Sequence, residues 1–140
     1  MEKTKANRPT LPTEIMEGIS NPAEEFQNMV LRPIIKMQSD MLMAHISAKV
    51  KSLKIEWEGM KPIKKKAALT TLLTKDQAFK SEIVGMVIGQ FDMEEYHKYL
   101  ELQKELNRRI TQIVLNRGID KLTWGMGGWG YFIEWSEISK

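Results

Sequence analysis

Two helix starts in the second half of the chain constrain the fold more than any other feature of the sequence. Thr74 and Asp92 each offer an oxygen acceptor at a helix N-cap, and each is followed three positions later by a side chain that reaches back, Gln77 and Glu95. Such reciprocal capping satisfies backbone N–H groups that have no partner within the helix. We therefore predict two helices with almost no linker between them, 77–90 and 93–117.

The first half of the chain has the same helical character. The Asn-Pro-Ala-Glu segment at 21–24 places preferred residues at the N-cap, the first and the third helical positions. An apolar stripe at helical spacing then runs to about Leu53, and a short helix is predicted over 63–73. Pro33 interrupts the stripe, and we expect a kink or a break there because proline removes a backbone donor.

Helical spacing also predicts which side chains face the core, and Gly118 is expected to end the last helix in a left-handed conformation. The inward residues predicted in this way are Phe26, Val30, Pro33, Ile34, Met37, Met41, Ile46, Val50, Ala67, Leu69, Leu72, Leu73, Phe79, Ile83, Met86, Val87, Tyr96, Tyr99, Leu100, Leu106, Ile110, Ile113 and Val114.

The last twenty residues differ in character from the helical body. Three of the four tryptophans lie in this tail, and the helical period gives way to alternation around Gly127-Gly128, a suitable two-residue hairpin turn. A turn there would place Leu122, Trp124 and Met126 on one face of the hairpin, opposite Ile133, Tyr131 and Trp129. So much aromatic area either closes the helical core or binds a partner. The candidate partner-binding residues are Trp124, Trp129, Tyr131, Phe132 and Trp135.

Composition excludes several classes of protein. The longest apolar run, 83–89, has seven residues, far short of the roughly 20 that a membrane-spanning helix needs. The first 20 residues contain no apolar signal region, so we expect cytoplasmic residence and no membrane contact. The chain has no cysteine, which removes disulfides, thiolate nucleophiles and thiolate metal sites.

The two histidines are the obvious candidates for acid-base or metal chemistry. His97 has Glu94 and Glu101 at helical spacing, which would form a carboxylate cluster if His45 packed nearby. Neither histidine belongs to a recognised ligand pattern such as H-E-x-x-H. The favoured interpretation is therefore a surface histidine among solvated charges, with no catalytic residue, metal or cofactor.

A basic segment from Lys49 to Lys66 is the candidate for nucleic-acid contact. Seven lysines and two glutamates give it a net charge of +5, with Trp57 among them. Lysines neutralise phosphates and an exposed tryptophan stacks on bases. The alternative is a solvated charged face around a core tryptophan. The residues assigned to the nucleic-acid hypothesis are Trp57, Lys61, Lys64, Lys65 and Lys66.

Gly85 and Gly89 form a small-xxx-small pair within a predicted helix. Outside a membrane, this pair is best explained by another helix that approaches closely where the two side chains are missing.

Several separated motifs along the chain match in order, at 25–38, 75–77, 85–91, 95–96 and 107–109. They resemble those of a family of small, uncharacterised, helical bacterial proteins, and the resemblance covers about residues 8–117. It implies an all-helical fold but supplies no activity and no catalytic residues to carry over, and the aromatic tail lies outside it. Some members carry a glyoxalase label, but a glyoxalase-type enzyme holds its metal on strands of βαβββ modules, which this helical chain does not match.

The sequence thus predicts an all-α bundle of four or five helices with a C-terminal aromatic β-hairpin or extended tail. The preferred function is a non-enzymatic protein–protein interaction or scaffold module, as a homodimer or a subunit of a larger assembly. The alternative is an RNA- or DNA-associated accessory protein that uses the basic segment. The predicted parts are an extended or disordered arm at 1–20, a helical domain at 21–118 and an aromatic tail at 119–140; the apolar residues of the arm that are candidates for docking on the body are Leu11, Ile15, Met16 and Ile19.

Overall fold

The computed structural model describes residues 21–124, and every regular element in this range is helical, which confirms the all-α class. The elements, in chain order, are α1 (Pro22–Phe26), a first π-helical turn (Gln27–Leu31), α2 (Arg32–Met37), α3 (Ser39–Ser52), α4 (Pro62–Lys75), α5 (Gln77–Ile88), α6 (Met93–Glu101), α7 (Gln103–Ile119) and a second π-helical turn (Asp120–Trp124).

Helix α7 is the centre of the bundle. It packs against α2, α3, α4, α5 and α6 and against both π-helical turns. Its side chains Leu106, Ile110 and Val114 lie one helical turn apart and are fully buried. Burial of each such side chain stabilises the fold by about 1.5–3 kcal/mol. The remaining helices therefore take their positions around the apolar face of α7.

Two of the predicted helix starts are confirmed. Asn21 Oδ1 accepts hydrogen bonds from the backbone N–H groups of Ala23 and Glu24, at 2.9 and 3.4 Å. Asp92 Oδ1 accepts from Glu95 N at 2.8 Å, and Glu95 Oε1 accepts from Asp92 N at 2.9 Å. The reciprocal capping predicted for α6 is therefore complete.

The predicted cap of α5 is wrong by two residues. Asp76, not Thr74, is the N-cap, and its Oδ1 accepts a hydrogen bond from Phe79 N at 3.0 Å. The Thr74 hydroxyl instead donates to the carbonyl of Thr70 at 2.6 Å, within the last turn of α4. Gln77 is then the first residue of α5, where its side chain is too early to complete a capping box.

Pro33 does not break its helix. The turn before it is π-helical, so that Arg32 N donates to Gln27 O, five residues back. The wider turn lets the chain pass proline, which lacks a donor, without ending the helix. The break falls at Gln38 instead, where φ is −95° and ψ is 10°. This break changes which side of the helix faces the core. Met37 and Met41, both predicted to face inward, are exposed, and Leu42 and Met43 are buried in their place.

The predicted helix 93–117 is also divided. Leu102 has φ of −126° and ψ of 25°, which separates α6 from α7. Tyr96 and Leu100, both predicted to face the core, are exposed as a result. Ala67 of α4 was likewise predicted inward and is exposed.

Gly118 is not a left-handed cap, because α7 continues through it to Ile119. It is buried, and a Cβ placed there would lie 3.7 Å from Ile46 Cδ1 and 3.9 Å from Leu69 Cδ1. The helical body then extends to Trp124, beyond the predicted boundary at residue 118. Residues 122–124 are helical and do not begin a strand; the rest of the predicted hairpin lies outside the described residues.

Candidate functional site

Helix α6 presents apolar side chains to solvent. Met93, Tyr96 and Leu100 have exposed fractions of 69%, 37% and 45%. Their spacing of three and four residues places them on one side of the helix. We call these three residues the α6 face.

The buried side of α6 holds the helix in place. Glu95 is buried in the capping interaction with Asp92, and Tyr99 is buried at the junction with α7. The rings of Tyr96 and Tyr99 are stacked with centroids 6.1 Å apart. The outward direction of the α6 face is therefore set by buried contacts on the opposite side of the helix.

A groove of about 790 Å³ runs between α5 and the start of α7. Val84, Gly85 and Ile88 form its apolar lining on α5, while Lys104 and Arg108 line it from α7. A Cβ at Gly85 would meet nothing within 4 Å. The prediction that another helix packs closely on Gly85 is therefore wrong within residues 21–124. Glycine inside a helix is about 1 kcal/mol less favourable than alanine, and here no close packing offsets that cost.

Charged and polar groups surround the α7 side of this groove. Glu105 accepts hydrogen bonds from Arg108 at 2.6 and 3.2 Å and from Arg109 at 2.9 Å. These donors stabilise the ionised carboxylate and lower the pKa of Glu105 to about 2. Tyr99 donates its hydroxyl to Asn107 Oδ1 at 2.6 Å, and burial raises the pKa of Tyr99.

The structure divides the residues of the nucleic-acid hypothesis into two groups. Lys61, Lys64 and Lys66 are exposed at the start of α4, and no acidic residue lies in the first turn of that helix. Trp57 is only 5% exposed and Lys65 only 8%, with Lys65 Nζ lying 5.4 Å from the centre of a Trp57 ring. The tryptophan is therefore part of the core and is not available as a stacking platform for bases.

Other residues at the ends of the basic segment also have structural roles. Lys49 Nζ lies 3.6 Å from Asp76 Oδ2, beside the N-cap of α5. Lys54 has φ of 56°, the left-handed conformation with which the chain leaves α3. The lysines that give this segment its charge of +5 therefore do not form one continuous exposed patch, because Lys49 and Lys65 have contacts within the fold.

The histidines do not form the cluster that was considered for acid-base chemistry. His45 Nε2 lies 2.7 Å from Glu82 Oε1, and its ring stacks on Phe79 with centroids 5.1 Å apart. His97 is exposed beside Tyr96. Among residues 21–124, no group of three histidine, aspartate or glutamate side chains is arranged to hold a metal ion.

The aromatic tail lies almost entirely beyond the described part of the chain. Trp124 ends the second π-helical turn. The remaining candidates for partner binding, Trp129, Tyr131, Phe132 and Trp135, fall outside residues 21–124.

Comparison with protein-family models, curated proteins and solved structures found no match to this chain. The resemblance to a family of small helical bacterial proteins therefore stays a prediction. Within residues 21–124, no helix combines the length and the apolar character needed to cross a membrane.

Proposed function

We propose that this chain is a non-enzymatic interaction module that self-associates through the α6 face and serves as a homodimer or as a subunit of a larger assembly. The observation that supports the proposal is the exposure of Met93, Tyr96 and Leu100 along one side of a capped helix. Apolar side chains that share a face are favourable to cover, because their burial removes apolar area from water.

The sequence of α6 suits pairing with a second copy. If two α6 helices cross antiparallel with Tyr96 near the two-fold axis, Met93 of one copy lies opposite Leu100 of the other. Self-complementarity of this kind is what a two-fold interface requires.

The aromatic tail belongs to the same proposal. Trp124, Trp129, Tyr131, Phe132 and Trp135 would extend the interaction surface, since aromatic side chains contribute strongly to binding at interfaces. The cytoplasm is the proposed location.

Light scattering coupled to size-exclusion chromatography tests the proposal. The intact chain should have twice its mass of 16.2 kDa, and Leu100→Glu should convert it to a monomer. Ile63→Glu is the matched control, because Ile63 is also an exposed apolar residue but lies on α4. A wild-type monomer at all concentrations would refute self-association, and a Leu100→Glu dimer would show that α6 is not the interface.

A second candidate function is contact with nucleic acid through Lys61, Lys64 and Lys66. The observation that favours it is the position of these exposed lysines at the N-terminal end of α4, where positive charge opposes the helix dipole and gives no stability to the helix. The positive charge of these lysines would attract phosphate.

Fluorescence anisotropy with labelled duplex DNA and RNA over a salt series tests this second candidate. Replacement of Lys61, Lys64 and Lys66 by glutamine should reduce the slope of log affinity against log salt by about 0.9 per lysine that contacts phosphate. Glutamine at three exposed lysines elsewhere is the charge-matched control: Lys36, Lys75 and Lys98. Equal slopes for the two triple variants would rule out a specific role for the start of α4.

A further inference from the structure

The groove between α5 and α7 lacks an occupant among the described residues, and we infer that segment 11–19 of the same chain docks in it. This inference concerns a surface other than the α6 face, and it does not depend on self-association.

The groove has room for another segment at Gly85. Gly85 leaves its centre open, with nothing within 4 Å of the position that a Cβ would take. Val84 and Ile88 provide apolar surface on the same side of α5. A glycine that weakens its helix and packs against no described side chain is explained if another segment approaches α5 at that point.

The segment has apolar residues to match. Leu11, Ile15, Met16 and Ile19 follow one another at intervals of four, one and three residues. In the docked state this spacing would place all four on one side of a short helix, in place of the extended or disordered arm predicted from the sequence. These four side chains would bury the apolar lining of the groove and would themselves be buried against it.

The segment and the groove carry opposite charges. Segment 11–19 contains two glutamates, Glu14 and Glu17, and no lysine or arginine. The groove is lined by three basic residues and one acidic residue, a net charge of +2: Lys80, Lys104, Arg108 and Glu105. A second copy docked groove to groove would instead bring like charges together, which opposes that arrangement.

The path of the chain brings the segment within reach of the groove. Gln27 Oε1 accepts a hydrogen bond from Arg109 Nη1 at 2.8 Å, next to the groove residue Arg108. Phe26 packs on Phe91 with ring centroids 5.5 Å apart, and Phe91 packs on Tyr99, which lines the groove, at 5.6 Å. The end of α1 therefore lies near this groove, and Pro22, four residues earlier, is about 6 Å away along the helix. Ten residues span up to about 33 Å when extended, and the groove along α5 from residue 77 to 88 is about 16 Å long.

Disulfide trapping tests the proximity directly, since the natural chain contains no cysteine. In full-length protein, Met16→Cys combined with Ser81→Cys at the groove should form an intramolecular disulfide under mild oxidation. The matched control combines Met16→Cys with Met41→Cys, an exposed position on α3. The first pair should close at least roughly tenfold faster, because docking raises the effective concentration of the two thiols. Equal rates would overturn the inference, and so would a first pair that forms mainly disulfide-linked dimers.

Hydrogen exchange provides a second test that depends on filling the groove. Amide protons in 11–19 should be protected in the wild type and in Gly85→Ala, and should lose that protection in Gly85→Trp. Protection that persists in a folded Gly85→Trp protein would overturn the inference. If Gly85→Trp fails to fold, charge reversal at the exposed Lys104 serves instead: Lys104→Glu should slow closure of the Met16→Cys, Ser81→Cys pair, and an unchanged rate would count against docking.

Discussion

The Tyr99 hydroxyl donates a hydrogen bond of 2.6 Å to Asn107 Oδ1, which links α6 to α7 across the break at Leu102. Tyr99 is almost fully buried and Asn107 is half-buried, so this bond is partly shielded from water. The break and the bond together set the direction of α6, and that direction exposes the α6 face. The junction is therefore the structural basis of the proposed interface.

Removal of this hydrogen bond should destabilise the junction. Tyr99→Phe keeps the ring but leaves Asn107 without its donor, and we expect the free energy of unfolding to fall by about 1 kcal/mol. Urea denaturation followed by circular dichroism measures the change. Tyr96→Phe is the matched control, since the exposed Tyr96 should tolerate the same change with little effect. Equal losses in both variants would contradict the role of the Tyr99 hydroxyl.

The pH dependence of this junction has a definite sign. Burial raises the pKa of Tyr99 above its ordinary value of 10.0. The neutral hydroxyl is therefore favoured in the folded state, and its contribution is complete below about pH 10 and lost as the pH rises further. The stability advantage of the wild type over Tyr99→Phe should shrink above that pH, and an advantage that grew there would contradict the assignment.

Glu105 should affect stability in acid. Hydrogen bonds from Arg108 and Arg109 lower the pKa of Glu105 from 4.5 to about 2. Its contribution to stability is therefore present above the unfolded value and lost as the pH falls toward the folded value. Between pH 4.5 and 2, the wild type should lose stability relative to Glu105→Gln. Unfolding measured across this range checks the prediction, and Glu58→Gln in the connection before α4 should leave the acid dependence of the wild type in place.

The start of α5 offers a test that separates two neighbouring polar residues. Asp76→Ala removes the acceptor for Phe79 N and should lower the thermal midpoint by a few degrees. Asp76→Asn keeps an acceptor and should lose less. Thr74→Ala should have little effect, since that hydroxyl bonds within α4. A larger fall in the thermal midpoint for Thr74→Ala than for Asp76→Ala would show that Thr74 is the N-cap, as the sequence predicted.

Substitution of Gly118 by alanine shows whether this residue lies inside a helix or in a left-handed cap. A Cβ there makes ordinary contacts with Ile46 and Leu69, so Gly118→Ala should stabilise the protein by about 0.5–1 kcal/mol through helix propensity. A left-handed residue would be destabilised by the same change. Chemical denaturation gives the sign, and Gly118→Leu should be destabilising because the larger side chain has no room beside α3 and α4.

The sequence predicted the helices themselves well because their signals are local. Asn21 and Asp92 cap the helices that follow them, as expected from side chains that bond to backbone two or three residues away. The error at Thr74 is also local in origin. Two acceptors stand two residues apart at 74 and 76, and the choice between them depends on where α4 ends, which is set by packing.

The candidate surfaces were less predictable. Tyr96 and Leu100 have the spacing of core residues, and nothing in their own helix indicates that Leu102 turns them outward. For Trp57 the sequence left open an exposed stacking platform or a core residue under a charged face, and the fold buries it. Burial depends on contacts between segments that are distant in sequence, and periodicity within one segment does not contain that information.

By itself, the sequence determined the all-α class, the approximate extent of the helices and the capping of α1 and α6, because propensity, capping and periodicity act within a few residues. The tertiary structure decided the positions of the breaks at Gln38 and Leu102, the burial of Trp57 and the opening of the groove at Gly85. Each of these depends on how helices pack around α7, since the helix axes and the register of each buried face are set by side chains from several helices at once.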